Sequence, residues 1–402
     1  MASYEESAAT VIGSLVDNSD FSPETSAAIA GLLADLGINV ANPGDASVPT
    51  QALVPGEAVD PNAVILTANT DLNESDVPNA GQALIMTGDT TANLTFAPDS
   101  TITTMVVGSG GNSQVTFETS ENVTVQLQGG ENDAVTTGAG DDVITIAGGS
   151  ASVDAGTGND TVVLQGTSDG GATIQHGEGN LTVAIGADAT GAASIDAGTG
   201  FDLVQMLDNI ANHVFSFIGG KFKMHSDLEL TMEGVNVVGF DGDGDGMYND
   251  IAVLATSQQQ AILASLYKVA LNREAIDGNQ STTQLDGIEF WLDRADEGDF
   301  QHTAYSFMNC AEVQEALGGL NDSEYVTKLF NNLGLSAEDT LNGKTVNDYV
   351  AQIADNPNQQ YGKWDVAIEI AGSAQTSEIL GADGSKYVIN GYSDTVDDNP
   401  AA

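Results

Sequence analysis

Three short turns in this 402-residue chain place glycine and aspartate at a spacing that suits a hard cation. They are GAGDD at Gly138 to Asp142, GTGND at Gly156 to Asp160 and GTGFD at Gly198 to Asp202, each a Gly-x-Gly-x-Asp run ahead of an apolar strand residue. Glycine lets the backbone fold back so that carbonyls face outward, and the aspartate adds a charged oxygen, a set of hard ligands suited to Ca²⁺. Asp142 and Asp160, one coil apart, form the best candidate pair. Two nearby turns fit less well: GGEND, Gly129 to Asp133, is one residue short, which makes Asp133 a weaker candidate. In HGEGNL, from His176, Leu181 stands where the aspartate should be, and that coil is expected to bind nothing. The alternative chemistry is plainer: Asp and Asn side chains that only cap turns.

A second, independent signal is FDGDGDGMYND, where Asp241, Asp243 and Asp245 alternate ahead of Gly246. These match positions 1, 3, 5 and 6 of an EF-hand loop, with Met247 supplying a carbonyl. Position 12 is Ala252 instead of Glu, so Asn249 or Asp250 has to replace the bidentate ligand. The run looks like the DxDxDG loops of extracellular calcium modules, and a solvated acidic linker is the alternative. Its place between two regions of different composition lets a bound ion fix their relative orientation.

The turns need a framework that repeats them in space, and the sequence supplies one. From about Ala63 to Met206 short apolar runs such as TMVV, QVTF, VITI, TVVL, LTVAI and LVQM recur about nine to eleven residues apart. SVDAGTGND at Ser152 returns as SIDAGTGFD at Ser194, with TIQHGEGNL at Thr173 midway between them, so three copies follow at equal intervals. The step from the loop at Gly138 to that at Gly156 is slightly shorter. Coils of about 20 residues with two strands each predict a parallel β-solenoid over residues 63–250, more closely than they predict a sandwich.

On these turns the chain resembles the RTX (haemolysin-type) calcium-binding β-roll proteins. The resemblance makes Asp142, Asp160 and Asp202 the ligand aspartates, and Gly138, Gly140, Gly156, Gly158, Gly198 and Gly200 the carbonyl donors. The family's leading glycine is Thr137, Ala155 or Ala197 in this chain.

The other regions are read more briefly. Residues 1–41 predict two short amphipathic helices, Tyr4 to Val16 and Pro23 to Leu36, the second capped by Ser22 with Pro23 at its first position and ended by Gly37. Residues 42–62 read as a linker or cap. Residues 256–380 predict a helical domain, where Ile262, Leu266, Val269 and Ala270 share one helix face. An internal repeat at an offset of about 63 matches Leu266-Tyr267 to Leu329-Phe330 and AYSFMNCAEVQ to AIEIAGSAQTS. LYKVALNREAID, GIEFW and AYSFMNCAEVQ resemble a helical repeat of undefined function appended to RTX-type and surface-layer-like bacterial proteins. Tyr267, Trp291, Tyr305 and Phe307 are read as core, and Arg273 as paired with Asp277 or Glu274. Residues 381–402 form a polar, acidic tail. The predicted fold class is therefore mainly β with α: N-terminal short helices, a central β-roll-like solenoid and a C-terminal helical domain.

Charge narrows the function. Nine Lys and Arg stand against 58 Asp and Glu, a net charge of −49, which disfavours nucleic acid and anionic membranes as partners. No Lys or Arg precedes Lys221, so the solenoid turns lack the basic group that lyase chemistry calls for. His176, His213, His225 and His302 form no catalytic constellation and are read as surface or packing residues. The lone Cys310 rules out an internal disulfide framework. Glu5 and Glu6 sit where a secretory signal would carry positive charge, and no apolar run is long enough to span a membrane. The expectation is a non-enzymatic, calcium-binding extracellular protein of surface-layer or adhesin type, self-associating or joined to surface components. The family resemblance implies export by an uncleaved C-terminal signal (type I secretion). A virion decoration or fibre protein is the alternative, and a polysaccharide-active enzyme comes third.

Overall fold

The computed structural model describes residues 50–53, 65–68, 70–73, 77, 81–86, 90–107, 112–165, 167–187, 189–242, 250–273, 286–295, 299–382 and 388–390. The two expected N-terminal helices and the end of the acidic tail lie outside the described residues. The chain divides into two compact units, residues 1–202 with 227–234, and residues 203–226 with 235–402. This division falls earlier than the change of composition near residue 250, because several strands after residue 203 group with the helices.

The first unit is a parallel β-solenoid of about six turns built from two ladders. One ladder runs through β2 (Ile65–Ala68), β4 (Ala83–Met86), β6 (Thr104–Val107), the start of β8 (Thr124–Thr136), the start of β9 (Val143–Asp154), β10 (Asp160–Gln165) and β12 (Leu181–Ile185). The other runs through β3 (Leu72–Asn73), β5 (Ala92–Phe96), β7 (Gln114–Phe117), the ends of β8 and β9, β11 (Thr167–Gln175), β13 (Thr190–Asp196) and β17 (Leu228–Glu233). Ile65 pairs with Ala83 and Ala83 with Thr104, so the coil length expected from the repeats is the observed register. The short β1 (Thr50–Ala52) pairs in parallel with β2, so the segment read as a linker or cap contributes a strand at the ladder's end.

Alternation explains why these segments become strands. In β10 the residues Asp160, Val162 and Leu164 point inward while Thr161, Val163 and Gln165 are only partly covered. Equivalent residues then stack: Ile144, Val162 and Val183 are register partners in successive coils and all are fully buried. Phe96 and Phe117 do the same, their rings stacked at 4.5 Å. The narrow interior is thus filled by β-branched and aromatic rows.

The second unit holds strands and helices. β14 (Leu203–Met206) pairs in parallel with β18 (Val237–Phe240), β18 is antiparallel to β19 (Asp250–Ala255), and β19 is parallel to β20 (Val388–Asn390). The hairpin of β15 (Val214–Ile218) and β16 (Lys221–His225) turns at Gly219 and Gly220, both at positive φ, as a tight primed turn requires.

Eight helices are described: α1 (Gln258–Leu271), α2 (Asp286–Ala295), α3 (Phe300–Met308), α4 (Ala311–Leu317), α5 (Asp322–Asn332), α6 (Val346–Asp355), α7 (Gln359–Ala371) and α8 (Ala374–Ala382). The second four repeat the order of the first, as the sequence repeat predicts. Cys310 and Ser373, matched in that repeat, each sit just before a helix, α4 and α8. Asn332 at the end of α5 donates to the Val269 carbonyl of α1, 63 residues away. Helix α1 is buried nearly all round instead of on one face, because α2, α5 and α7 pack about it. Of the four aromatics read as core, Tyr267 and Phe307 are buried, and Trp291 and Tyr305 are half-buried. Arg273 pairs with Glu312; residues 274 and 277 lie outside the described residues.

Candidate cation site in the solenoid turns

The Gly-x-Gly-x-Asp turns lie at one edge of the coil, where the second ladder hands over to the first. Their glycines stack on one another from coil to coil. A Cβ at Gly156 would lie 1.9 Å from the Gly138 carbonyl oxygen, and one at Gly158 would lie 2.2 Å from that of Gly140. A Cβ at Gly200 would meet the Gly179 carbonyl at 1.9 Å and one at Gly198 the Gly177 carbonyl at 2.2 Å. Gly156 also has φ +74°, so both backbone shape and space demand glycine there. The carbonyls take part in the ladder: Gly138 O accepts from Thr157 N at 3.0 Å and Gly156 O from Gly177 N at 2.7 Å. Each such oxygen keeps a second lone pair.

The aspartates point along the solenoid axis. Asp142 Oδ1 accepts from Val123 N at 2.8 Å, Asp160 Oδ1 from Asp142 N at 2.7 Å, and Asp202 Oδ1 from Leu181 N at 2.7 Å. Each reaches back to the preceding coil, and all three residues are 1% exposed. An outer row runs forward beside them, with Asn122 accepting from Asp141 N and Asp141 from Asn159 N. The turn-capping role is therefore real for one oxygen of each buried carboxylate. Asp133 caps in the same way at a different corner, accepting from Ser113 N at 2.7 Å, and burial pushes its pKa up.

At the second oxygen Asp142 and Asp160 are alike in accepting no hydrogen bond and differ in what lies beside it. Asp142 Oδ2 is buried and has no hydrogen-bond partner. The nearby Thr137 hydroxyl has a single hydrogen, which it donates to Ala155 O at 2.9 Å. Burial raises the Asp142 pKa, the Val123 N–H and Thr137 lower it, and the charges of Asp160 and Asp141 raise it further. A buried carboxylate oxygen without a donor is costly unless the group is protonated or a cation sits beside it. At the next coil Asp160 Oδ2 lies 3.2 Å from His176 Nε2, with both side chains fully buried. Burial raises Asp202 to about 7 against the Leu181 N–H and the His176 charge, which lower it.

The turns thus bring Asp142 and Asp160 together in adjacent coils, while Asp202 stands beyond the coil of His176 and Leu181. Among the described residues no three His, Cys, Asp or Glu side chains converge as a metal cluster. A cation at Asp142 would therefore rely on backbone carbonyls, as the glycine spacing implies. His176 is the residue that sequence reasoning missed. Its signal was present: the copy that loses its aspartate at Leu181 is the copy that gains a histidine in place of alanine.

The DxDxDG run lies between β18 and β19, whose antiparallel pairing makes Phe240 and Asp250 register partners, and both strands belong to the second unit. Asp241 is buried and donates its N–H to Met206 O at 2.9 Å, and burial raises the pKa of Asp250. Ala252, at the twelfth position, is fully buried in β19 facing the core, a strand position where a ligating glutamate has no place. Asp243, Asp245, Met247 and Asn249 lie outside the described residues.

The helical unit contains a cavity of about 330 Å³ lined by Met308, Leu317, Tyr325, Lys363 and Trp364 among others. Lys363 is bound to the Leu320 carbonyl at 2.7 Å and to Asp322 at 3.3 Å. No helix among the described residues is long and apolar enough to cross a membrane. No family model matches the chain, and neither the curated proteins nor the solved structures provide a match.

Proposed function

We propose that this chain is a non-catalytic, calcium-binding structural protein whose solenoid is completed by the ion, working outside the cell at a surface. The observation that carries the reading is the buried Asp142 Oδ2, which lacks a hydrogen-bond donor in a unit without a single Lys or Arg. Asp142, with the carbonyls of Gly138, Gly140 and Gly156, would hold the ion. It would supply positive charge to a desolvated carboxylate and tie adjacent coils together. Asp202 with Gly198 and Gly200, and Asp241 with the loop that follows, are further candidates on the same chemistry. Sites of this kind in extracellular modules bind with Kd of about 10⁻⁴–10⁻³ M, which matches calcium levels outside cells. The resemblance to RTX proteins supports secretion, and the helical repeat supports attachment or self-association at a surface.

Because an ion that binds only the folded chain adds to its stability, calcium at about 100 times Kd should add about 2.7 kcal/mol to the solenoid. Circular dichroism after chelation tests this. Loss of β-signal or a lowered solenoid melting temperature, restored by calcium, is the expected result. An unchanged spectrum and melt would contradict it.

A further inference from the structure

We propose that His176 fills the cation position of its own coil, so that the solenoid takes its metal at Asp142 and is closed to metal at Asp160. The inference rests on the calcium reading of the turns.

The argument starts from equivalence of position. Thr137, Ala155, His176 and Ala197 occupy the same place in successive coils: their N–H groups donate to the carbonyls of Asp154, Gln175, Asp196 and Glu233 in turn, one coil onward each time. Three of these side chains are small and one is an imidazole. The ring reaches in both directions. His176 Nδ1 lies 3.0 Å from Ala197 O in the next coil, the same contact that Thr137 Oγ1 makes with Ala155 O at 2.9 Å. His176 Nε2 lies 3.2 Å from both Gly158 O and Asp160 Oδ2 in the preceding coil. Those two oxygens belong to the residues that the turn motif assigns to the metal.

One ring therefore lies against three oxygens from two neighbouring coils, hydrogen-bonded to Ala197 O and Gly158 O and, when protonated, ion-paired with Asp160 Oδ2, the task assigned to calcium at the other turns. Its side chain is fully buried, and calcium must approach each ligand to about 2.3–2.6 Å, so ring and ion exclude one another. One coil earlier the equivalent residue is Ala155, whose methyl group offers no donor, and there Asp142 Oδ2 is left without a partner. Neither second carboxylate oxygen accepts a hydrogen bond; the coils differ in that Asp160 Oδ2 has an imidazole nitrogen 3.2 Å away, where the coil facing Asp142 has only the alanine methyl. The loss of the aspartate at Leu181 belongs to the same exchange, since a coil braced by a side chain needs no ion.

Native mass spectrometry of the intact chain with and without calcium tests this, comparing the wild type with Asp142→Asn, His176→Ala and Ala155→His. We expect Asp142→Asn to hold one ion fewer than the wild type, His176→Ala one more and Ala155→His one fewer, each with circular dichroism reporting the fold. Equal counts in the wild type and a folded His176→Ala overturn the proposal. If His176→Ala does not fold, a folded Ala155→His that keeps the wild-type count overturns it. Failure of the underlying reading is separate, since it appears in the wild type itself: no ion there, or an ion kept in Asp142→Asn, removes Asp142 as ligand. An extra ion in His176→Ala would still support the role of His176, and no ion in any form would overturn both.

Discussion

The two units of this chain manage the same acidity in opposite ways. All nine Lys and Arg belong to the second unit, and there carboxylates meet cations: Lys344 with Glu369 at 2.6 Å, Lys363 with Asp322 at 3.3 Å, Arg273 with Glu312 at 2.7 Å. In the solenoid unit the buried carboxylates Asp142, Asp160 and Asp202 each accept a backbone N–H from the preceding coil, and the cation-forming group beside them is a histidine, His176, 3.2 Å from Asp160 Oδ2. A carboxylate held by an ammonium group is already neutralised. One held by a single amide, as Asp142 is, keeps a second oxygen without a cation beside it, and on the calcium reading proposed above this is why added cations would go to the solenoid and not to the helices.

The largest effect that should separate the units comes from the stacked glycines. Gly156→Ala puts a methyl group 1.9 Å from the Gly138 carbonyl at a φ of +74°, and should cost the solenoid about 3 kcal/mol or more. Calorimetry should show the solenoid transition lowered or lost and the helical transition kept. Equal loss in both would mean that the units do not melt independently.

A smaller effect is a pH dependence of opposite sign, measured in chelator. Asp202 and His176 both have raised pKa values, about 7 and about 9. For His176 burial opposes protonation, but the hydrogen bonds to Asp160, Ala197 O and Gly158 O and the Asp160 charge outweigh it. A raised pKa gives stability that is complete below the unfolded value and is lost as pH rises through the folded one. The Asp202 contribution should thus fade from near pH 4 to 7, and that of His176 from about 6.5 to 9, the latter on the order of 3 kcal/mol. Glu369 runs the other way. Burial raises its pKa, but the Lys344 and Gln352 hydrogen bonds and the Lys344 charge bring it below the usual glutamate value. Its contribution is present above that value and lost as pH falls through the folded one. Acid should therefore weaken the helical transition while alkali weakens the solenoid; parallel shifts would remove the contrast.

The smallest expected effect is Arg273→Ala. It removes an exposed bidentate pair with Glu312 and a guanidinium 5.0 Å from the centroid of the Tyr267 ring, and should cost the helical transition about 1 kcal/mol and the solenoid nothing.

Much of this architecture was legible because a solenoid writes its period into the chain. SVDAGTGND and SIDAGTGFD declare the coil, and TMVV, QVTF, LTVAI and LVQM are strands residue for residue. The corner chemistry was less legible, because it depends on which coil lies next. Nothing local to Asp142 says that its partner donor is Val123 N, 19 residues back, and nothing local to His176 says that it faces Asp160. The helical face drawn through Ile262 and Leu266 was too narrow for a similar reason, since burial of α1 all round is set by helices far along the chain. The DxDxDG run was placed between domains because composition changes there, yet its ends are held by the antiparallel pairing of β18 and β19.

The contrast between the units rests finally on Asp142, and calorimetric melts of the wild type and Asp142→Asn in chelator and in millimolar calcium test it most directly. The expected result is a solenoid transition that calcium raises in the wild type and leaves in place in the variant, with the helical transition of both insensitive to the substitution. A calcium shift of equal size in wild type and variant would contradict the assignment of this buried carboxylate as the solenoid's cation ligand.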